Sequence, residues 1–344
     1  MERSDLELRM EAALPLAKAR KAHELRLAQD RQKAAADPMI VLSRAEVEAL
    51  LEPDALIEAM RSALVDLSAG RASVPPRIAA WSAERAGLLG AMVAYVPSLD
   101  ALAAKLVAVF PQAELSHQAV IAMFDPRTGA PLALLDGIAI TAQRTAAVSA
   151  LATRLLARED ASVLAILGSG VQAESHARYV PLVRSFREVR VAGRDPERTA
   201  RFAARIGARA ARSYEEAVRG ADVICATTHA REPVLRGVWL KPGAHVNSVG
   251  FDPEGSEIDA DVLREALLAV ESRSSAFSPP PAGAFELRGI DPKTAVEIGE
   301  LPSRTSPEQI TVYKSVGVAA EDAAAAALVL RSARKKGVGS DIAL

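Results

Sequence analysis

Apolar residues along the chain follow two different periods, and the change between them divides the sequence. Met39-Ile40-Val41-Leu42 is a short strand, and Ser43 with Glu46 three residues on makes a capping box for a first helical turn. Pro53 opens a helix on which Leu56, Met60, Leu64 and Leu67 share one face, and Gly70 stops it. Strand-like runs follow over 88–96, 103–110, 119–124 and 131–135, the last after the turn Asp125-Pro126-Arg127-Thr128-Gly129. Strands this close, with no helix between them, predict an antiparallel meander.

After a helix predicted over 140–157 the pattern alternates. Strands are predicted over 162–167, 189–192, 221–226, 244–249, 268–270 and 310–313, with helices over 171–183 and 197–206. Alternation of this kind gives a parallel, doubly wound sheet. An Ala-rich helix over 316–336, closed by Gly337, returns towards the first unit. The fold class predicted is therefore α/β. A Rossmann-type dinucleotide-binding domain takes residues 151–315, and an α+β domain with an antiparallel sheet takes 38–150 and 316–344. Residues 1–37 stand apart as a charged helical or disordered extension without a clean heptad seam. Ser278-Pro279-Pro280-Pro281 reads as a stiff loop.

The first candidate chemistry sits where a strand meets a helix. In Gly168-Ser169-Gly170-Val171-Gln172-Ala173, Gly168 allows the tight turn and Gly170 lets the backbone approach a pyrophosphate. Ala173, the third small position, lets helix and strand pack closely, and N–H groups at the helix start face the diphosphate. The loop predicts a bound nicotinamide dinucleotide. Thr227, Thr228 and Val249, at the carboxyl ends of two further strands, join the cofactor set.

The end of the second strand reads Val191-Ala192-Gly193-Arg194-Asp195. Glycine replaces the acidic residue that would bind a ribose 2′-hydroxyl, and Arg194 suits a 2′-phosphate, so NADP(H) is preferred over NAD(H). The plainer alternative is that Asp195 caps the helix starting at Pro196 and Arg194 is solvated.

Composition narrows the class. The chain of 344 residues carries 42 basic and 43 acidic side chains and is half hydrophobic. Near-neutral charge argues against a nucleic-acid or anionic-membrane surface. The single cysteine, Cys225, lies in an apolar strand and reads as a core thiol. No apolar run reaches the roughly 18 residues that span a bilayer, and no apolar signal core is visible, so a cytoplasmic location is expected. His117, placed in a polar turn, His176 and His245 show no metal-ligand spacing, and no metal site is predicted.

Further motifs make a resemblance specific. They are Pro75-Pro76-Arg77, Lys105 within Ala104-Lys105-Leu106-Val107, and Thr141-Ala142-Gln143-Arg144-Thr145-Ala146-Ala147. The glycine loop follows, then Pro242-Gly243-Ala244-His245-Val246-Asn247-Ser248-Val249-Gly250 and Ile310-Thr311-Val312-Tyr313-Lys314-Ser315-Val316-Gly317. From about Met39 to Gly339 the chain resembles the ornithine cyclodeaminase/mu-crystallin family. The resemblance implies that Arg77, Lys105 and Arg144 bind a substrate carboxylate, that Asp252 is the catalytic proton carrier with Lys105 beside it, and that the antiparallel unit builds a homodimer. Three cations in one pocket would repel unless an anion joined them. Lys105, interrupting an apolar strand, needs a partner if buried. A turn-forming Asp-Pro remains the alternative for Asp252.

Two departures qualify the resemblance. Where cyclodeaminases carry a glutamate that contacts the ornithine amine, this chain has Gly90, and the loop after Asp252 is one residue shorter. The missing carboxylate weakens recognition of a doubly cationic substrate. The expected reaction is NAD(P)(H)-dependent hydride transfer at Cα of a small amino or imino acid, by a cyclic ketimine reductase or amino-acid dehydrogenase. Ornithine cyclodeaminase is second, and a non-catalytic mu-crystallin-like binder third. The Glu297-Ile298-Gly299-Glu300-Leu301 segment resembles a family loop near the cofactor and is assigned no chemistry.

Overall fold

The computed structural model describes residues 38–343 apart from positions 83, 85, 114, 253, 280 and 281. The extension 1–37 and two prolines of the expected stiff loop lie outside the described residues. Two sheets organise the rest. The first contains β1 (Met39–Leu42), β2 (Ile78–Ser82), β3 (Gly87–Val96), β4 (Ala101–Val109), β5 (His117–Phe124) and β6 (Pro131–Asp136), with β15 (Ser340–Ile342) near the chain end. Its order is β15-β1-β6-β5-β4-β3-β2. β3 to β6 form the expected antiparallel meander, β2 extends it at the edge, and β1 runs parallel to β6.

One face of this sheet is covered by helices. The Ala319–Lys336 helix packs on β3, β4 and β5 and against the Pro53–Ser68 and Gly137–Leu156 helices. Its alanines at 319, 320 and 323–327 are all buried, so the small side chains let neighbours approach from several sides. Val329 is fully buried too, worth about 1.5–3 kcal/mol relative to exposure. Ser43 and Glu46 form the predicted capping box, and Asp136 caps the Gly137–Leu156 helix through the Ala139 N–H at 2.8 Å. The opposite face of the sheet is bare. Ile78, Leu89, Val93, Leu106 and Val120 alternate along β2 to β5 and are exposed, with Leu106 directly opposite Val120.

The second sheet is parallel throughout, in the order β13-β12-β14-β11-β10-β7-β8-β9. It contains β7 (Val163–Leu167), β8 (Glu188–Ala192), β9 (Arg209–Ala210), β10 (Val223–Ala226), β11 (His245–Ser248), β12 (Leu267–Val270), β13 (Val296–Glu297) and β14 (Thr311–Lys314). β7, β10, β11 and β14 are buried along their whole length; β7 and β10 accordingly read as unbroken apolar runs, whereas β11 and β14 also bury His245, Asn247, Ser248, Thr311 and Lys314. From β7 the chain turns to β8 on one side and later returns to β10 on the other. That reversal is the topological switch point beside which such sheets bind ligands.

Several boundaries moved for local reasons. The helix after the glycine loop ends at Tyr179 and yields to a 3₁₀ turn, because Pro181 cannot donate to a helical carbonyl. The last long helix begins at Ala319, not 316, since Gly317 sits at φ +67 and cannot belong to it. β2 escaped the sequence reading because it is a short edge strand just after two prolines. No helix among the described residues is long and apolar enough to cross a membrane.

Candidate active site

The glycine loop leaves β7 at the switch point. Gly168 has φ +120, and a Cβ there would lie 2.6 Å from Thr227 Oγ1 and 3.0 Å from its carbonyl oxygen. The Gly168 N–H donates to Ala192 O at 2.8 Å, so the loop is fastened to the ends of β8 and β10 together. Gly170 caps the Val171–Tyr179 helix with open space where its Cβ would be. Ser169 is half-buried at the tip, and Val171 is exposed beside it. Gln172 is half-buried, with its side-chain oxygen unpartnered. Thr227 donates to Leu167 O at 2.8 Å, and the Val249 N–H to Ala226 O at 3.0 Å. This cradle of free N–H groups and small residues fits a dinucleotide diphosphate.

At the end of β8, Arg194 is exposed after Gly193. Asp195 accepts from the Arg198 N–H at 3.0 Å and caps the Pro196–Arg205 helix. The capping alternative for Asp195 therefore holds, and its carboxylate is occupied.

Two of the three predicted cations meet around one turn, and the third joins them through a shared carboxylate. Arg77, just before β2, donates to Val316 O at 3.0 Å and Gly317 O at 2.7 Å. Arg144, on the Gly137–Leu156 helix, presses so closely on Gly317 that a Cβ there would lie 2.6 Å from its Nη2. Lys105 is buried on β4. It pairs across the sheet with Met92 on β3, two residues from Gly90 on the same face. A Cβ on Gly90 would meet Val107 Cγ1 at 3.3 Å, so β3 contributes no side chain at this point and its neighbour there is the apolar Val107.

These cations are not bare, which corrects the expectation that only a ligand could reconcile them. Asp322 Oδ2 lies 2.6 Å from Lys105 Nζ, and Asp322 Oδ1 lies 3.1 Å from Arg144 Nε. Glu321 Oε2 lies 2.6 Å from Arg144 Nη1. Glu271 accepts from Tyr313 and Ser315 hydroxyls at 2.9 and 2.6 Å and from the Gly317 N–H at 3.0 Å. Burial pulls Lys105 down to about 8 even though Asp322 supports its charge. Burial pushes Glu321 up to about 8, with Arg144 opposing. For Asp322 burial also acts upward, but Lys105 and Arg144 outweigh it and its carboxyl stays below the ordinary value.

Asp252 lies four residues beyond the end of β11. Its Oδ1 accepts from the Glu254 N–H at 2.9 Å and its Oδ2 sits 3.3 Å from the exposed Arg231. The turn-forming geometry is present, and the carboxylate is held in it rather than joined to Lys105. Beneath the loop, Glu257 accepts from Thr228 Oγ1 at 2.8 Å, Ser248 Oγ at 3.0 Å and the Gly250 N–H at 2.9 Å. Lys314 bonds Gly250 O and pairs with Glu286, both at 2.7 Å. One buried network thus ties the cofactor-side Thr228 to the loop bearing Asp252.

The histidines divide. His176 sits between Gln172 O at 2.7 Å and Ser149 Oγ at 2.8 Å, and His245 contacts Thr311 and Asn247. Both are satisfied core groups. His117 begins β5 instead of lying in a turn, and its ring stacks on His229 with centroids 5.9 Å apart. His229 also contacts Phe251 O at 3.1 Å, so the stack joins the antiparallel unit to the Asp252 loop. Among the described residues no group of three His, Cys, Asp or Glu could hold a metal. Cys225 is buried, its thiol pushed up to about 12 by desolvation. The 297–301 segment is structural: Gly299 packs on the Leu64 carbonyl, and Glu300 pairs with Arg273 at 2.8 Å.

Sequence reasoning missed Glu257, Glu271, Glu321 and Asp322, and gave Lys314 no role. A signal existed. Glu321-Asp322 interrupts a run of alanines, and Lys314 ends a strand otherwise fit for a core.

Residues 37–337 match the model of the ornithine cyclodeaminase/mu-crystallin family. The ketimine reductase mu-crystallin of Mus musculus is 43% identical over 305 residues, covering 85% of this chain and 96% of that protein. The Thermococcus litoralis Δ(1)-pyrroline-2-carboxylate reductase, solved with NADH and L-proline, superposes with a TM-score of 0.83 at 33% identity, covering 88% of this chain and all of that one. An archaeal alanine dehydrogenase dimer with bound NAD gives 0.82 at 29% identity, covering 88% and 98%.

Proposed function

The chain belongs to the ornithine cyclodeaminase/mu-crystallin family, and we propose that it is an NAD(P)(H)-dependent reductase of small cyclic imino acids, with amino-acid oxidation as the reverse reaction. One observation carries this reading. Arg77 and Arg144 meet at the Val316-Gly317 turn, just past the end of β14 in the sheet that carries the glycine loop, and Asp322 joins Arg144 to Lys105.

The charges select a monoanion. With Glu321 pushed up to about 8, its carboxyl holds a proton near neutral pH. Three cations then face two carboxylates, Asp322 and Glu271, and one substrate carboxylate balances the cluster. Arg77 and Arg144 supply forked donors to it and Lys105 a point charge. Gly168, Ser169, Gly170, Val171, Gln172, Thr227, Thr228 and Val249 hold the dinucleotide, which when bound supplies the hydride. Asp252 exchanges a proton with the substrate nitrogen, and its backbone is kept in place by Glu257 and Lys314 through Gly250. The uncharged surface at Gly90 and Val107 favours a ring without a second ammonium, which ranks ornithine below cyclic imines.

Arg194, free at the strand end while Asp195 caps a helix, supports NADP(H) over NAD(H). The bare apolar face of the first sheet supports a homodimer closed by a second copy of that face, and a relative of the same fold is a dimer. The substrate-binding and dimerisation domain is then the antiparallel unit with the last helix, and the dinucleotide domain is the parallel sheet.

The test is an assay of purified protein with NADPH and NADH against pyrroline-2-carboxylate and piperideine-2-carboxylate, and with NAD⁺ against ornithine and alanine. Consumption of reduced cofactor with the cyclic imines is expected. Robust proline formation with ammonia release from ornithine would overturn the ordering. No turnover of any of these, with ligand binding unaltered by Asp252→Asn, would point to a binder.

A further inference from the structure

Among the described residues, Asp322 alone of the acidic side chains around the cation cluster meets two of its members at once: Oδ2 at 2.6 Å from Lys105 Nζ and Oδ1 at 3.1 Å from Arg144 Nε. The two cations stand on different elements, β4 and the Gly137–Leu156 helix, and Asp322 reaches both from a third, the Ala319–Lys336 helix. All three side chains are buried, so water does not screen the contacts. Among the described residues no other group pairs with Lys105, and the nearby guanidinium groups of Arg144 and Arg77 repel it. Glu321, next in sequence, meets Arg144 alone, and Glu271 is engaged by the Tyr313 and Ser315 hydroxyls and the backbone N–H groups of Val316 and Gly317.

We propose that Asp322 is a positioning residue for the reaction: it fixes Lys105 and Arg144 in one register and keeps the Lys105 ammonium charged, so that the pair can receive the substrate carboxylate. The inference rests on the imino-acid reading above. Asp322 itself is turned to the two cations with both oxygens, so it acts through them and not on the reacting atoms. A buried ammonium beside two guanidinium groups loses its proton readily unless an anion is in contact with it. Asp322 is that anion, delivered by a helix whose alanines allow it close to the sheet. An unprotonated Lys105 would offer the carboxylate no charge, and substrate binding would weaken while the hydride step at saturation would not.

The experiment measures KM and kcat for pyrroline-2-carboxylate from pH 6 to pH 9.5 with the intact holoenzyme, for the wild type and for Asp322→Asn, Asp322→Glu and Glu321→Gln. In the wild type, 1/KM is expected to fall above about pH 8, where Lys105 deprotonates. In Asp322→Asn that break moves at least one pH unit lower, KM at pH 8 rises about tenfold or more, and kcat changes less than about threefold. Asp322→Glu keeps the charge and misplaces it, so KM rises while the break stays at the wild-type pH. Glu321→Gln leaves the break where it is, because Glu321 does not touch Lys105. Binding of the reduced cofactor, read by fluorescence, stays unchanged throughout.

An Asp322→Asn profile that superposes on the wild type overturns the proposal, as does a fall in kcat with no movement of the break. An equal displacement in Glu321→Gln also overturns it, because Lys105 would then depend as much on a residue that does not touch it. If Asp322→Asn does not fold, Asp322→Glu decides: an unchanged KM removes the positioning role. A wild type that reduces no imino acid is a different failure, that of the functional reading itself.

Discussion

The buried ammonium of Lys314 donates to the carbonyl oxygen of Gly250 at 2.7 Å and so fixes the backbone two residues before Asp252. The same ammonium pairs with Glu286 at 2.7 Å, while Glu257 takes the Gly250 N–H from the other side. Replacing Lys314 by Met would strand a buried carboxylate. The expected cost is about 3–5 kcal/mol, because an unpaired buried charge is far worse than a missing pair. Urea denaturation checks it, and a midpoint equal to the wild type would show that the network does not support the loop.

Asp252→Asn keeps the shape of the turn and removes the proposed proton carrier. Its kcat is expected to fall by about 10²–10⁴, with cofactor affinity and substrate KM within a few-fold of the wild type. Steady-state kinetics and cofactor fluorescence separate the two effects. Near-normal turnover would assign the proton to another group.

The proposed preference for NADP(H) rests on a single exposed guanidinium. Arg194→Ala should raise KM for NADPH by about tenfold or more, a loss of at least about 1.4 kcal/mol, and leave KM for NADH unchanged. Parallel titrations with the two cofactors decide it. Equal effects on both would remove the 2′-phosphate from the argument.

Val93 is exposed in the middle of the bare sheet face, opposite Ala104 on β4. An aspartate placed there would have to lose its hydration if a second copy covered the face, which costs several kcal/mol. Val93→Asp is therefore expected to convert a dimer to a monomer in sedimentation velocity. A wild type that sediments as a monomer would show that nothing of this kind covers the face.

Acid should act partly through His176. Burial pulls this imidazole from its ordinary 6.5 down to about 4. The unfolded chain therefore takes up a proton between those values that the folded chain refuses, so the stability contributed above pH 6.5 drains away as pH falls to about 4. His176→Gln should make the loss of stability across that window shallower. Urea midpoints at three pH values test it, and an identical slope would shift the acid sensitivity to His245, which burial pulls down to about 3.

Local chemistry made much of this protein legible in its sequence. The glycine loop could be read because a tight turn at φ +120 and an open helix N-terminus each demand small residues in a fixed order. The parallel strands β7 and β10 could be read because full burial there gives unbroken apolar runs, and the capping box because Ser43 and Glu46 satisfy N–H groups within one turn. Arg77, Lys105 and Arg144 were reached through the family resemblance, with Lys105 and Arg144 also standing out as odd cations in apolar or small surroundings. What the sequence could not supply was who neutralises them. Asp322 stands 178 positions after Arg144 and 217 after Lys105 in the chain, and only the packing of the last helix onto β4 brings the three together. The same holds for Lys314, Gly250 and Glu257, and for the stack of His117 on His229. Periodicity is set by neighbours in the chain, whereas a buried charge is settled by whichever element tertiary folding presses against it, and that is where this site was decided.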